Sequence, residues 1–288
     1  MSMQATMAAR PAPALQPGAA IIGQQVTKTF RSKAGINHAL GPTDFEIKPG
    51  EFVSIIGASG CGKSTLMLIT AGLIPPSEGT IVVDGEQLSQ PLTDIGIVFQ
   101  DHLLLDFRTA FDNVMLQQQI RGLDRAALAE RARNLFKKLG LSGAEQRYPS
   151  QLSGGMRQRV SIARALVHEP SILMMDEPFG ALDAITRTQI RHDLELLWME
   201  TRKTVLFITH SIEEAIGLSD RVLVMSRGPG RIIDEIKIDL PRPRPVHLGD
   251  YPEFAEYANR IYGIFERIGV YNFGEKAGAE PVASSQAR

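Results

Sequence analysis

Eight consecutive residues have the composition and spacing of a phosphate-binding loop. They read Gly57-Ala58-Ser59-Gly60-Cys61-Gly62-Lys63-Ser64, are followed by Thr65, and fit the pattern G-x-x-x-x-G-K-[ST]. Glycines let successive backbone N–H groups turn toward a phosphate, and the start of the following helix attracts its negative charge. In this pattern the lysine contacts the β- and γ-phosphates, and the serine hydroxyl binds Mg²⁺. The segment therefore predicts a site for ATP and Mg²⁺.

Cys61, the single cysteine of the chain, lies inside this loop. It is either a small residue that fits there or a thiol whose pKa is lowered by the helix start and Lys63. In the second case a maleimide would inactivate the protein, and bound nucleotide would protect it. A single cysteine cannot form an internal disulfide, which favours a reducing compartment.

Two carboxylates follow a predicted buried strand. The segment Ile172-Leu173-Met174-Met175 is apolar and ends in Asp176 and Glu177. Asp176 at the strand end can hold Mg²⁺ through its waters, and Glu177 can polarise the attacking water as a general base. Taken alone, the pattern also fits a strand followed by a turn. Together with the glycine-rich loop it predicts a site that hydrolyses a nucleotide.

A second candidate anion-binding loop lies between these two motifs. It reads Leu152-Ser153-Gly154-Gly155-Met156-Arg157-Gln158 and leads into a predicted helix over residues 160–167. A serine hydroxyl, two glycines and a helix N-terminus together favour phosphate binding. One nucleotide site in one chain does not need both loops. We infer that two copies of the chain each contribute one loop to a shared nucleotide.

These motifs, in this order, resemble those of the ATP-binding subunit of ABC transporters, over about residues 21–240. Residues 152–158 are similar to the signature loop of that family. The resemblance implies roles for Gln100 at Mg²⁺ and water, for Asp183 in a loop that crosses the dimer interface, for His210 at the γ-phosphate and for Phe30 stacked on adenine. Phe30 could instead belong to a strand core, and His210 could be an ordinary strand-end residue.

The resemblance also assigns these residues to groups. The catalytic group is Lys63, Gln100, Glu177 and His210. The metal ligands are Ser64, Gln100 and Asp176. The nucleotide-binding group is Phe30, the loop 57–65, Ser153, Gly154, Gly155 and Asp183. Ala58 stands where many relatives have proline, and we expect no loss of chemistry because only backbone N–H groups are needed there. The other five histidines have no such context, and we expect them to be structural or exposed.

The elements that position these residues alternate between strands and helices. Strands are predicted over residues 21–30, 43–47, 52–56, 80–83 and 95–99, with a hairpin turn at 48–51 and a helix over 63–72. Residues 101–168 read as helical, including a helix capped by Asp124 and closed by Gly140. Strands at 172–175, 204–209 and 221–225, a helix at 184–200 and a strand or hairpin arm at 231–240 follow.

This alternation predicts an α/β fold with a largely parallel sheet and a helical insert. The family resemblance makes it a P-loop NTPase fold, with a RecA-like sheet, an N-terminal antiparallel β part and a helical subdomain. We divide the chain into a flexible tail (1–20), an ABC-type ATP-binding domain (21–240, with the helical subdomain at about 101–168) and a C-terminal part (241–288). That last part has a Pro-rich linker, a helix packed on the body and a flexible end.

Composition excludes several classes of protein. The 288 residues include 31 basic and 32 acidic side chains, for a net charge of −1, which argues against a nucleic-acid backbone binder. Apolar runs are far too short to span a bilayer. The first twenty residues lack the basic start and apolar block of a signal peptide. A secreted disulfide scaffold and an integral membrane protein are therefore not expected.

The resemblance implies the partners and the cellular setting. It predicts an ATP-dependent dimer with a second copy, separate permease subunits in the membrane, an indirect link to a substrate-binding protein and no nucleic acid. The chain would lie peripherally on the cytoplasmic face of the inner membrane. Residues 99–106, 112–114 and 225–232 resemble the nitrate/sulfonate/taurine importer group. The forty or so residues after position 250 are too few for the regulatory β-domain of sugar-type importers.

Two other functions fit the sequence less well. A soluble ABC ATPase that acts on ribosomes or DNA would typically carry two nucleotide domains or long coiled-coil inserts, and this chain has one glycine-rich phosphate loop and no heptad run. A P-loop kinase would leave Gln100 and residues 152–158 unexplained. Membrane association that depends on a permease would separate the transporter from both alternatives.

Overall fold

The structure, a computed structural model, describes residues 18–33 and 35–270. The predicted flexible end and all but the last three residues of the predicted tail lie outside this range. The described strands are β1 (Ile21–Ser32), β2 (Gly35–Ile47), β3 (Phe52–Ile56), β4 (Glu78–Val83), β5 (Glu86–Gln87), β6 (Ile95–Val98), β7 (Ile172–Asp176), β8 (Thr204–Thr209), β9 (Arg221–Met225) and β10 (Ile232–Lys237). The described helices are α1 (Lys63–Thr70), α2 (Ala110–Arg121), α3 (Arg125–Lys138), α4 (Gly154–Leu166), α5 (Ala184–Thr201), α6 (Ile212–Leu218) and α7 (Pro252–Arg267).

Six strands form a mostly parallel sheet in the order β10-β9-β3-β8-β7-β6. The pairs β3/β8, β3/β9, β7/β8 and β6/β7 are parallel, and β10 closes the edge as the antiparallel partner of β9. All residues of β3 and β8 are buried, as expected for strands covered on both faces. The predicted α/β fold is confirmed, and the final strand is a hairpin arm.

A second sheet has the order β2-β1-β4-β5 and is antiparallel, which confirms the predicted N-terminal β part. Its strand β2 begins at Gly35, eight residues before the strand that we predicted at 43–47. Pro42 interrupts the sequence pattern there, but β2 is an edge strand, where a residue without an N–H is tolerated. Register shifts in the β1/β2 pair absorb the irregularity.

The hairpin predicted at residues 48–51 is wrong. Those residues do form a turn, in which Glu51 N donates to Lys48 O at 3.1 Å. However, β2 belongs to the antiparallel sheet and β3 to the parallel sheet, so the two strands are not partners. The mostly apolar β3 is fully buried in the centre of the parallel sheet and would lose burial beside the half-exposed β2.

The helical insert consists of α2, α3 and α4. Asp124 caps α3 by accepting a hydrogen bond from Ala127 N at 2.8 Å, and Gly140 follows the helix with a φ of 63°, both as predicted. Leu128, Ala132 and Phe136 share the buried face of α3. They join an apolar cluster that also includes side chains of α4, α5 and β7, so the insert packs continuously with the parallel sheet.

The Pro-rich segment after β10 is tied to the body by two arginines. Arg242 donates to Leu218 O at 2.6 Å, pairs with Glu195 at 2.9 Å and lies 4.3 Å from the centre of the Trp198 ring. Arg244 is 2% exposed, its side chain donates to Ile216 O, and its backbone N donates to Glu195 at 3.1 Å. Helix α7 then packs its apolar stripe against α6 and β10.

Replacement of Arg242 by alanine should destabilise the protein. Glu195 is buried, so removal of its ion-pair partner would leave a charge in the interior, at a cost of about 3 kcal/mol. The free energy of unfolding in urea would measure the loss. Arg202→Ala is the matched control, because Arg202 also stacks on Trp198 (4.5 Å) but is exposed. Equal losses for both variants would contradict a special role of the buried pair.

Candidate functional site

A cavity of about 730 Å³ lies at the C-terminal ends of the parallel strands. Both sheets contribute to its wall: the glycine-rich loop follows β3, Gln100 follows β6, Glu177 follows β7, and residues of β1 and β2 form the opposite side. The predicted site residues that line it are Phe30, Ser59, Gly60, Gly62, Lys63, Ser64, Thr65, Gln100 and Glu177. Clefts at this edge are where open α/β sheets bind their ligands.

Gly62 fixes the path of the loop into α1. Its φ is 105°, a conformation that other residues rarely adopt. A Cβ at this position would lie 2.7 Å from Ala39 O, which is backbone and cannot turn away. A glycine is therefore required both by the backbone angle and by the close approach of β2. The next residue begins α1, so the free N–H groups of the helix start face the cavity side of the loop.

The side chain of Lys63 folds back onto the start of the glycine-rich loop. Its side chain is 4% exposed, and its Nζ donates to Gly57 O at 3.0 Å and to Ala58 O at 3.1 Å. The Nζ is also 3.7 Å from Oε1 of Glu177. The loop and the acidic strand end, predicted from separate motifs, are thus within contact distance of one another. Gly57 and Ala58 lie below the cavity surface, where their carbonyl groups hold the lysine.

The pKa of Cys61 does not follow the activated-thiol interpretation. The side chain is 1% exposed, and burial raises the pKa of the thiol above its ordinary value, outweighing the lowering effect of Lys63. The expectation of a lowered pKa is therefore wrong. The residue acts as a small apolar side chain in a cluster with β1 and β3.

Labelling of Cys61 by a maleimide should be slow in the folded protein. A raised pKa means that less thiolate is present at any pH below it, so the rate should rise about tenfold per pH unit in that range. Thiol labelling measured by mass spectrometry between pH 6.5 and 8.5 would test this. The urea-unfolded chain is the control and should react much faster at each pH. Equal labelling rates in the folded and the unfolded chain would show that the thiol is accessible in the folded protein.

Asp176 offers an atom suited to a cation. Its Oδ1 is buried and has no hydrogen-bond partner among the described residues. Burial raises the pKa of the carboxyl, while a hydrogen bond from the Ser64 hydroxyl lowers it. The two predicted oxygen ligands are thus in contact, with one carboxylate oxygen uncommitted. A hydroxyl and a carboxylate beside a phosphate site fit the hard, oxygen-preferring Mg²⁺.

Glu177 is held in a strained backbone conformation. Its φ is 44°, in the left-handed region, and its N–H donates to Ile208 O of β8 at 2.9 Å. Its Oε2 lies 2.9 Å from Nδ1 of His210, the residue that follows β8. Strain of this kind costs energy and is characteristic of functional positions. The two residues predicted to act on the γ-phosphate therefore form a pair at adjacent strand ends.

Phe30 is not a core residue. It lies on β1, is 40% exposed and lines the cavity, with Lys28 Nζ 5.2 Å from the ring centre. The strand-core alternative is therefore wrong. An exposed ring at the wall of a polar cavity has a free face on which a base can stack.

The second loop and Asp183 lie elsewhere. Ser153 caps α4 by accepting from Met156 N at 3.2 Å, and Asp183 caps α5 by accepting from Thr186 N at 3.0 Å. Hydrogen bonds from Thr186 lower the pKa of Asp183. Neither these residues nor Gly154 and Gly155 line the cavity. One chain therefore does not bring its two phosphate-directed loops to the same site.

Six lining residues were missed by the sequence reasoning. Four are on β2 and two are in the turn between β9 and β10: Ile36, Asn37, His38, Ala39, Gly228 and Pro229. The β2 residues have no apolar alternation that would signal a strand. The turn could have been found, since Gly-Pro-Gly is a strong turn signal, but nothing local places it beside the loop. A hydrogen bond from Gly230 N to Ala39 O, 3.0 Å long, holds this turn against β2 beside the glycine-rich loop.

The chain is similar to known proteins of one family. The family model described as ABC transporter matches residues 40–180. An uncharacterised ABC transporter ATP-binding protein of Methanocaldococcus jannaschii is 44% identical over 243 residues, 84% of this chain and 90% of the relative. A taurine import ATP-binding protein of Rhizobium johnstonii is 47% identical over 79% of this chain and 88% of its own length. An aliphatic sulfonates import ATP-binding protein of Bacillus cereus is 40% identical over 81% and 91%.

Solved structures give the same result. A dimeric bacterial ABC transporter cassette superimposes with a TM-score of 0.69 at 35% identity and covers 77% of this chain and 100% of that one. A dimeric post-hydrolysis state of an ATP-binding cassette, bound to ADP and Pi, has a TM-score of 0.67 at 34% identity, with the same coverage. Between residues 18 and 270, apart from position 34, no helix combines the length and hydrophobicity needed to cross a bilayer.

Proposed function

This chain belongs to the ABC transporter ATP-binding proteins, which are ATPases, and from that membership we propose that it drives the uptake of a sulfonate, with taurine among the candidates, through a separate permease. The cargo class rests on taurine and aliphatic sulfonate import proteins that are 40–47% identical to this chain over the aligned residues. The ATPase itself need not contact the cargo, so the site described above supports ATP hydrolysis and does not identify the cargo. Nitrate, from the same importer group, is the alternative cargo.

ATP binding draws on both sheets. In this proposal Phe30 stacks on the adenine, and the backbone N–H groups of residues 57–65 surround the phosphates, with Lys63 moving from Gly57 O and Ala58 O to the β- and γ-phosphates. Ser64, Asp176 and Gln100 would hold Mg²⁺, which neutralises charge on the phosphate oxygens. The uncommitted Oδ1 of Asp176 supports this assignment.

Hydrolysis is assigned to Glu177 and His210. Glu177 accepts a proton from the attacking water, and the 2.9 Å contact with His210 orients its carboxylate at the strand end. His210 then also contacts the γ-phosphate. Positioned charges supply most of the catalysis in reactions of this kind, because phosphoryl transfer needs little covalent help from the protein.

A second copy completes the site. Ser153 and Gly154 are exposed at a helix start, Gly155 is buried beside them, and none of the three lines the cavity of its own chain, so we assign this loop to the nucleotide of the other copy. Asp183, exposed at the start of α5, is assigned to the same interface. Two nucleotides would then be held head to tail between two chains. Closure of this pair moves the permease, to which the chain attaches peripherally on the cytoplasmic face.

A co-purified complex would test the proposal. We expect the chain to sediment with membranes and to lose that association when the permease is deleted. The partner binding protein should gain thermal stability from ethanesulfonate or taurine, and ATP hydrolysis in proteoliposomes should rise with the loaded binding protein. Stabilisation by nitrate alone would move the cargo to the alternative. Unchanged membrane association without any permease would overturn the transport role.

A further inference from the structure

A second cavity, of about 530 Å³, opens at the other edge of the parallel sheet. Ser171 and Lys203, which line it, directly precede β7 and β8, whereas the nucleotide cavity lies where these strands end. The two cavities share no lining residue. The length of β8 separates them by about 20 Å, at roughly 3.3 Å per strand residue. The proposed ATPase mechanism makes no use of this second cavity.

The wall of this cavity is mainly apolar and also carries polar and charged side chains. Its wall is built from α3 of the helical insert, from α5 and from the first residues of β7 and β8. The principal apolar side chains are Leu135, Leu166, Leu173, Leu197, Trp198 and Val205. Both the volume and this lining are typical of sites for small organic molecules.

One charged side chain in the wall has no partner. Lys203 is 8% exposed, and its side chain makes no hydrogen bond or ion pair with any residue of the described chain. Its backbone O accepts a hydrogen bond from Trp198 Nε1 at 2.9 Å, which holds it against the ring that lines the cavity. Burial lowers the pKa of the ammonium, and the charges of Glu169 and Asp94 oppose that effect without cancelling it.

The acidic residues near Lys203 have other partners, and one of them, Asp94, accepts a hydrogen bond from Ser171 N at 3.3 Å. Glu169 pairs with Arg131 at 3.0 Å, and Glu200 pairs with Lys138. Both pairs lie in the cavity wall and join α3 of the insert to the sheet or to α5. They leave Lys203 as the cation available to a ligand.

We propose that this cavity binds a small organic anion with an apolar tail, such as an alkanesulfonate or an alkyl carboxylate. The anionic head would pair with Lys203, and the tail would cover the leucines and Trp198. A bare inorganic anion would leave the apolar wall uncovered, and a neutral hydrocarbon would make no ion pair with Lys203. The ligand would touch both the helical insert and the sheet, and so would connect the two parts that meet here.

Trp198 provides a direct test, because it is the only tryptophan in the chain. Octanesulfonate and octanoate, added below their micellar concentrations to the purified full chain, should change Trp198 emission saturably, and calorimetry should give the same affinity. Lys203→Met should weaken binding about tenfold or more, the usual effect of removing a charged partner. Lys203→Arg should keep most of the affinity. Lys137→Met, an exposed lysine on α3, is the control and should bind as the wild type does.

Two further ligands test the contributions of the anionic head and of the apolar tail separately. Octanol lacks the charge and taurine lacks the tail, so both should bind at least tenfold more weakly than octanesulfonate. If Lys203→Met fails to fold in a thermal melt, Leu135→Phe narrows the cavity from α3 and should also weaken binding. Equal binding of octanol, or of octanesulfonate to Lys203→Met, would overturn the proposal, as would the absence of saturable binding. Competition by MgATP would assign the signal to the other cavity and would also overturn it.

Discussion

A Glu177→Gln variant should bind ATP with near wild-type affinity and hydrolyse it about 10²–10⁴ times more slowly, the range for loss of a general base. The amide keeps the shape of the side chain and the left-handed backbone at this position but cannot accept the proton of the attacking water. Because ATP then persists between two copies, the variant should elute as an ATP-dependent dimer. Steady-state phosphate release and size-exclusion chromatography with MgATP would measure both effects.

The control for this variant is Glu200→Gln, which removes a carboxylate from the surface ion pair with Lys138, far from the nucleotide cavity. Its turnover should equal that of the wild type. Wild-type turnover by Glu177→Gln would remove Glu177 from the role of base. A loss of ATP binding instead of turnover would make Glu177 a binding residue, and that result would also contradict the assignment.

Two inactive variants should restore hydrolysis when they are mixed. Lys63→Ala disables the phosphate loop, and Gly154→Asp places a negative charge at the second loop. The nearest atom to a Cβ at Gly154 is 4.0 Å away, so the substitution should not disturb the fold. In a mixed dimer one site receives an intact Lys63 from one chain and an intact Gly154 from the other. After purification on both tags every dimer is mixed and has one intact site of two, which predicts about one half of wild-type activity, if the two sites act independently.

The matching control mixes Lys63→Ala with a chain that carries both substitutions, which leaves no intact site in any pairing. Phosphate release from co-expressed, differently tagged chains, purified on both tags in succession, would compare these mixtures. Wild-type turnover by Gly154→Asp alone would show that residues 153–155 do not serve the nucleotide. That outcome bears on the shared site and leaves the assignment of Glu177 untouched.

Local patterns predicted the parallel sheet and its insert well. Strands such as β3 and β8 are mostly apolar runs, and α3 has a cap, a buried stripe and a closing glycine, so the sequence pattern alone defines them. The hairpin prediction at residues 48–51 was wrong because these residues specify a reversal of the chain but not the sheet that each flanking strand joins. That choice depends on β8 and β9, which lie more than a hundred residues away in the chain.

The site was predictable where one motif carries one function. Lys63, Ser64, Asp176 and Glu177 are neighbours in space because parallel strands end at one edge of a sheet. The balance of effects on the pKa of Cys61 was not predictable, because burial depends on packing and outweighs the adjacent lysine. The wall formed by β2 was missed for a similar reason: residues 36–39 carry no local signal of a site, and it is the glycine turn after β9 that fixes this strand beside the loop.

The docking of the C-terminal segment sets the shortest version of this protein that is worth producing for screening or crystallisation. A chain ended at residue 240 keeps every ATPase motif but loses Arg242 and Arg244, which hold the buried carboxylate of Glu195. It also uncovers the apolar face of α6, which α7 covers and which begins two residues after His210. Such a chain would expose apolar surface close to His210 and would be prone to unfold locally and to aggregate. A sound shortened form therefore retains residues through 270.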